Sequence, residues 1–127
     1  MKKLFLCLFI VLLFFIIPAL AAADVVGRYV GGRGNNVQVR LTVSKPPPAA
    51  FIVLQHLPAG VRIEAADPKP SGFDPASSTV KWLFKHPRPG SVAITMRLSR
   101  PVSGNMLTGE IRFRHPGSGK MVSRTIR

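Results

Sequence analysis

The sequence predicts an all-β domain, a two-layer antiparallel sandwich of seven or eight strands, preceded by a signal-peptide helix. Three observations carry this. From Asp24 onward apolar residues recur with period two, and no helical periodicity extends beyond about two turns. The alternating runs are short. They are punctuated by many of the 12 prolines and 11 glycines of the 127-residue chain. Short strands separated by such turns bury their apolar faces by stacking as two sheets.

Residues 1–23 have the three parts of an export signal. Lys2 and Lys3 form a positive start, Leu4 to Ile17 is unbroken apolar sequence, and Pro18 ends the run before the small residues Ala19, Ala21, Ala22 and Ala23. Cleavage after Ala23 or after Ala21 satisfies the small-residue rule. A retained anchor is the rival reading, but Leu4–Ile17 is shorter than the ~18 apolar residues a spanning helix needs. Cys7 lies at the start of the apolar run, whereas a lipidated cysteine would follow it. Residues 24–127 are then a single domain, expected outside the cytoplasm, either secreted to the exterior or periplasmic. Cys7 is the only cysteine, so this domain has no disulfide, cysteine nucleophile or cysteine-bound metal.

The strands follow in order. Val25 to Val30 reads as a first strand, with Gly27 inside it and Gly31 and Gly32 after it. Val37, Val39, Leu41 and Val43 alternate with Gln38, Arg40, Thr42 and Ser44, the cleanest half-buried pattern in the chain. Ala50 to Leu57 is apolar on both faces, as a central strand is. Val61, Ile63 and Ala65 alternate with Arg62 and Glu64. Val80, Trp82 and Phe84 alternate with Lys81, Leu83 and Lys85. Val92, Ile94, Met96 and Leu98 alternate with Ala93, Thr95, Arg97 and Ser99, and Ile111 and Phe113 with Arg112 and Arg114. Met121 to Ile126 gives a weaker last strand. Trp82 shares the phase of Val80 and Phe84 and is expected in the core. Leu83 falls on the opposite phase, an apolar spot between two lysines.

Turn chemistry separates these runs. Gly31 to Asn36 is a glycine and asparagine loop, and Pro46 to Pro48 a stiff connector. Asp67 to Ser78 is the longest segment expected to be irregular, with Asp67-Pro68 and Asp74-Pro75 as turn initiators. His86 to Gly90, Pro101 to Asn105 and His115 to Gly119 complete the set.

Four stretches carry a resemblance: Leu57-Pro58-Ala59-Gly60-Val61, Ala66-Asp67-Pro68 with Pro70-Ser71, Thr79-Val80-Lys81-Trp82, and Pro89-Gly90. Together they resemble the Ig-like conserved-repeat β-sandwich modules of bacterial cell-surface and secreted proteins, and loosely the cohesin-type sandwiches. The resemblance spans roughly residues 37–114. It implies an Ig-like fold and a role in adhesion, spacing or assembly, with no catalytic residues. The chain departs from those modules in standing alone and in its basicity.

Charge is the loudest feature: 18 Lys and Arg against 5 Asp and Glu, a formal net charge of +13. Only Lys2 and Lys3 of that excess belong to the export signal. Such an imbalance favours anionic partners: anionic polysaccharide, lipopolysaccharide, teichoic acid, released DNA or an acidic envelope protein. Six cations sit on the outward phase of their strands and form the candidate binding set: Arg40, Lys81, Lys85, Arg97, Arg112 and Arg114. If their strands neighbour one another, they build a cationic plate whose internal repulsion an anionic partner would relieve. The outward phase lacks the aromatics of a base-stacking surface, so sequence-specific nucleic acid is not expected. Membrane contact is expected only through an uncleaved signal segment. The alternative role is a subunit of a fibre or envelope complex, self-assembling through Asp24–Val30 or the C-terminal strand.

Nothing points to an enzyme, a cofactor or a metal. His56, His86 and His115 lack the spacing of a zinc site. Glu64 and Asp67 are close in sequence, but the first is on an outward strand position and the second in a proline-rich loop. Gly117-Ser118-Gly119 lacks the elbow context of a serine nucleophile and is a hairpin turn in form. Gly31-Gly32-Arg33-Gly34 precedes a strand, not the helix start that a phosphate cradle uses.

Overall fold

Alternation with period two sends one set of side chains to each face of a strand, so each run above offers one greasy face to bury. The computed structural model describes residues 24–31 and 34–127. The export-signal reading of residues 1–23, with Cys7, lies outside them. Among the described residues no helix is long and apolar enough to cross a membrane.

The described residues form nine strands in two antiparallel sheets. They are β1 Val25–Val30, β2 Asn36–Val43, β3 Ala50–His56, β4 Ile63–Asp67, β5 Gly72–Asp74, β6 Thr79–Lys85, β7 Gly90–Leu98, β8 Thr108–Arg114 and β9 Met121–Ile126, with one 3-10 turn at Gly104–Met106. One sheet runs β1-β2-β7-β4 and the other β5-β6-β3-β8-β9. β3, apolar on both faces in sequence, lies at the centre of the five-stranded sheet.

The two sheets share a single apolar interior. Val39, Leu41, Ile94 and Leu98 from the first meet Phe51, Val53, Trp82, Ile111 and Phe113 from the second, all essentially inaccessible to solvent. The alternations in β2, β6, β7 and β8 therefore point as the sequence predicts. Trp82 is in the core, and its indole Nε1–H donates to the Pro68 carbonyl at 2.8 Å. Phe51 and Phe84 stack at 4.7 Å between ring centroids.

Two elements differ from expectation. β4 begins at Ile63; Val61 lies in the preceding turn, its N–H donating to the Pro58 carbonyl at 3.1 Å. A register shift between Ile63 and Ala65 then turns Ala66 inward and Ala65 outward, because a bulge adds one residue and inverts the phase beyond it. β5 lies within the segment expected to be irregular. Its three residues are too few to show a period. Side chains flank the strand at both ends: Ser71 Oγ accepts the Leu83 N–H at 2.9 Å, and Asp74 Oδ1 accepts the Ala76 N–H at 3.0 Å.

The β1 and β9 edges close on one another. Tyr29 N–H donates to the Arg127 carbonyl at 2.9 Å, and Arg124 Nε lies 3.0 Å from Asp24 Oδ1. Inside this end sits Gln55, fully buried on β3. The Tyr29 hydroxyl crosses from the other sheet and donates to Gln55 Oε1 at 2.9 Å. The amide nitrogen of Gln55 donates to the carbonyls of His56 and Thr108 at 3.0 and 3.2 Å. The contact needs a glycine at 109. A Cβ there would lie 2.7 Å from the Tyr29 oxygen and 2.9 Å from Ile126 Cδ1.

Gly109→Ala is therefore expected to cost about 1–3 kcal/mol by overpacking, whereas Gly31→Ala, which meets nothing within 4 Å, leaves stability nearly unchanged. Urea denaturation followed by Trp82 fluorescence measures both; equal midpoints for the two variants would contradict the close packing. Burial also pushes the Tyr29 phenol above the usual tyrosine range. The folded chain then holds this proton longer than the unfolded one. The associated stability is complete at neutral pH and is lost as pH rises through the folded-state value. Tyr29 is the only tyrosine, so a phenolate absorbance titration reads it alone. Its midpoint is expected to be higher in the native protein than in denaturant, and a lower native midpoint would refute this.

Candidate functional site

Cations cannot enter the apolar interior unpaired, so the alternation that fills the core drives them onto the two outer faces. The six candidate residues divide between those faces. Lys81 and Lys85 on β6 and Arg112 and Arg114 on β8 share the outer face of the five-stranded sheet; all four are exposed. β3 lies between them, so the two pairs are two strand spacings apart, about 10 Å. Arg40 on β2 and Arg97 on β7 lie on the outer face of the four-stranded sheet, on the far side of the molecule.

The five-stranded face has an apolar centre. Leu83 stands opposite Ile52 on β3, and Ile52 opposite Arg112 on β8. In the neighbouring row Lys81 stands opposite Leu54, and Leu54 opposite Glu110. Ile52 and Leu54 are half-buried, and Leu83 keeps 39% of its surface exposed. The face is thus a short greasy stripe with lysines on one side and arginines on the other.

Glu110 modifies this picture. Arg112 grips its carboxylate with both Nε at 2.8 Å and Nη2 at 3.2 Å, and Ser123 Oγ donates to the same group. The Arg112 hydrogen bond, followed by that of Ser123, holds the Glu110 carboxyl below the usual carboxylate range. Arg114 spends one N–H on the Gly119 carbonyl at 3.0 Å, bracing the β8–β9 hairpin while its charge stays free. Lys81 and Lys85 have no ion-pair partner among the described residues.

On the opposite face Arg97 lies 3.5 Å from Glu64. Arg40 stands opposite Ala93 on one side and opposite Arg28 on the other. Both arginines are exposed. Direct opposition of like charges thus arises between Arg40 and Arg28, which was not among the six. The signal was present: Arg28 is on the outward phase of its strand, and a hairpin centred on Gly34 pairs 28 with 40.

A hydrogen-bonded chain on the same side as Lys81 also escaped sequence reading. His56 Nδ1 lies 2.8 Å from Thr79 Oγ1, Thr79 Oγ1 lies 3.0 Å from Ser77 Oγ, and Ser77 Oγ lies 3.0 Å from Asp74 Oδ2. Asp74 initiates the turn as expected, and the chain ties that turn to β3. His115 Nδ1 accepts the N–H groups of Gly117 and Ser118 within its hairpin. Among the described residues no three metal-ligating side chains converge.

Comparison with family models, with curated proteins and with solved structures finds no match for this chain.

Because its pKa is lowered by Arg112, Glu110 contributes stability that is present above the usual carboxylate range and is lost as pH falls through the folded-state value. The pair is exposed, so the contribution is small. Side-chain NMR titration is expected to find Glu110 ionised at lower pH than an ordinary glutamate. Arg112→Gln should move it back toward the ordinary range. An unchanged titration in that variant would exclude the ion pair as the cause.

Proposed function

We propose that this chain is a secreted or envelope-associated, Ig-like, non-catalytic module that binds an anionic polymer, surface or acidic protein through the outer face of its five-stranded sheet. The observation that carries the reading is the grouping of Lys81, Lys85, Arg112 and Arg114 around the exposed Leu83, in a chain of net charge +13. A partner with anionic groups neutralises the rim, and its less polar parts cover the stripe of Ile52, Leu54 and Leu83. Polysaccharide acids, lipopolysaccharide and acidic envelope proteins all have this chemistry.

Strand order supports the Ig-like assignment. An Ig-type sandwich orders one sheet A-B-E-D and the other C-F-G. β1-β2-β7-β4 and β3-β8-β9 follow these orders, with β5 and β6 added beyond β3. The added pair enters the chain after the D-like strand, which is a departure from the Ig order. The export reading rests on the composition of residues 1–23 alone. The competing role, assembly by strand addition at β1 or β9, has less support, since those edges hydrogen-bond and ion-pair with one another.

Binding of the purified protein to immobilised dextran sulfate tests the reading. Retention is expected to fall steeply with added salt. The double variant Lys81→Glu/Lys85→Glu should weaken binding by about tenfold or more. Arg28→Glu/Arg40→Glu changes net charge equally on the opposite face and should weaken it much less. Equal losses would reduce the proposal to the overall charge of the molecule and remove the binding face.

A further inference from the structure

The two ends of the sandwich differ. Where β1 meets β9 the sheets are tied together; at the opposite end, the outer edges of β4 and β5 leave a groove open between the sheets. The groove encloses about 600 Å3, with Ile63, Ala66, Pro70, Phe73 and Val80 among its lining residues. That volume is in the range of small-molecule sites.

The groove has a local cause. The bulge in β4 turns Ala66 inward, and a methyl group does not fill the space facing β5. Across from it, Phe73 stands opposite the buried Val80 yet keeps 58% of its surface exposed. Its ring also borders a second depression beside Leu54 and His56, so it forms a ridge between two hollows. An exposed phenylalanine on a three-residue strand gains the fold little.

The rim charges without an ion-pair partner among the described residues, Arg62 and Lys69, are both positive. Glu64, the one acid in the lining, is engaged by Arg97. A greasy floor with cations at its rim matches a molecule that has an alkyl chain and one anionic head. A bare inorganic anion would leave the floor uncovered. An added peptide strand meets an edge blunted by the β4 bulge and by Pro68 and Pro70.

We propose that this groove binds a free single-chain amphipathic anion, such as an alkyl carboxylate, with the chain along Phe73, Ile63 and Ala66 and the head at Lys69 and Arg62. The site meets the outer sheet face only at Phe73, and its head-group cations Arg62 and Lys69 are not part of that face. Trp82, the only tryptophan, reports on the groove. It is two residues from Val80 on the same face, and its indole holds the Pro68 carbonyl in the β4–β5 connection.

Titration of the full chain with dodecanoate below its micellar concentration, followed by Trp82 emission and calorimetry, tests this. One dodecanoate per chain is expected, with a rise in the thermal midpoint. Acetate should give no response, and dodecyl maltoside, which has the chain without the charge, should bind about fivefold or more weakly. Phe73→Ser is expected to weaken dodecanoate binding about tenfold and Lys69→Gln about fivefold. Both residues are exposed, so the unliganded thermal midpoint should stay near that of the parent. Arg112→Gln/Arg114→Gln, on the β8 side of the sheet face and away from Phe73, should leave dodecanoate binding unchanged, which separates this site from the sheet face. Equal binding of dodecanoate and dodecyl maltoside would overturn the proposal, as would indifference to Phe73→Ser. So would a response to anionic phospholipid vesicles without one to dodecanoate.

Discussion

A single buried amide governs how the two sheets meet. Gln55 is on the inward phase of the central strand, where a polar group without partners costs several kcal/mol, roughly 2–7. Its nitrogen is satisfied within its own sheet, but its oxygen is satisfied by Tyr29 from the other. That bond fixes β1 over β3 and β8, and it demands a residue without a side chain at Gly109. The same close approach recurs at Gly27, where a Cβ would lie 2.9 Å from Ile111 Cδ1. The β1 end is closed because the backbones come near enough for the hydroxyl to reach. Among the described residues no such bond holds β4 to β5 across the gap, and there the layers part.

Closing the interior with neutral groups forces every described charge outward, and the acids are too few to offset the bases. Of the five acids, Asp24, Glu64 and Glu110 are each engaged by an arginine, Asp74 is spent on its own turn, and only Asp67 has neither kind of partner among the described residues. What remains is an excess of unpaired cations on both faces, most closely opposed at Arg28 and Arg40. Repulsion of that kind across a strand pair is a modest cost, a few tenths of a kcal/mol to about 1. The Glu110–Arg112 pair subtracts from the opposite face in a different way. It leaves Lys81, Lys85 and Arg114 as the free charges, so the field of that face is weighted toward its β6 side and its hairpin.

Much of this was legible because alternation is a direct record of burial. β2, β6, β7 and β8 declare their inner faces in sequence, and the phase of Trp82 and Leu83 sends one to the core and the other to the surface. β4 was misjudged beyond Ile63 because a bulge is a backbone event that inverts phase without any change in composition. β5 was missed because three residues contain no period, and what bounds it is Ser71 and Asp74, two side chains that read as ordinary turn formers. The six cations are all exposed, but phase alone does not say which sheet a strand joins. Sheet membership depends on pairings between distant strands, such as β2 with β7 and β3 with β8. Only the local hairpin of β1 and β2 gave its register away, and with it Arg28 beside Arg40.

The short β5 strand sets what the open end of the molecule can accept. Edge strands invite pairing with other chains, and proteins blunt them by brevity, bulges and proline. β5 is three residues long, β4 is bulged, and Pro68 and Pro70 lie between them. These devices discourage a β-strand from adding to this end. They do nothing to cover the apolar floor they expose, since covering it takes a larger side chain than Ala66 or a turned-in Phe73. An end protected against backbone pairing but left open to side-chain-sized apolar contact discriminates by shape. It rejects an extended peptide and admits a thin chain, and the cations at Arg62 and Lys69 supply the remaining selectivity.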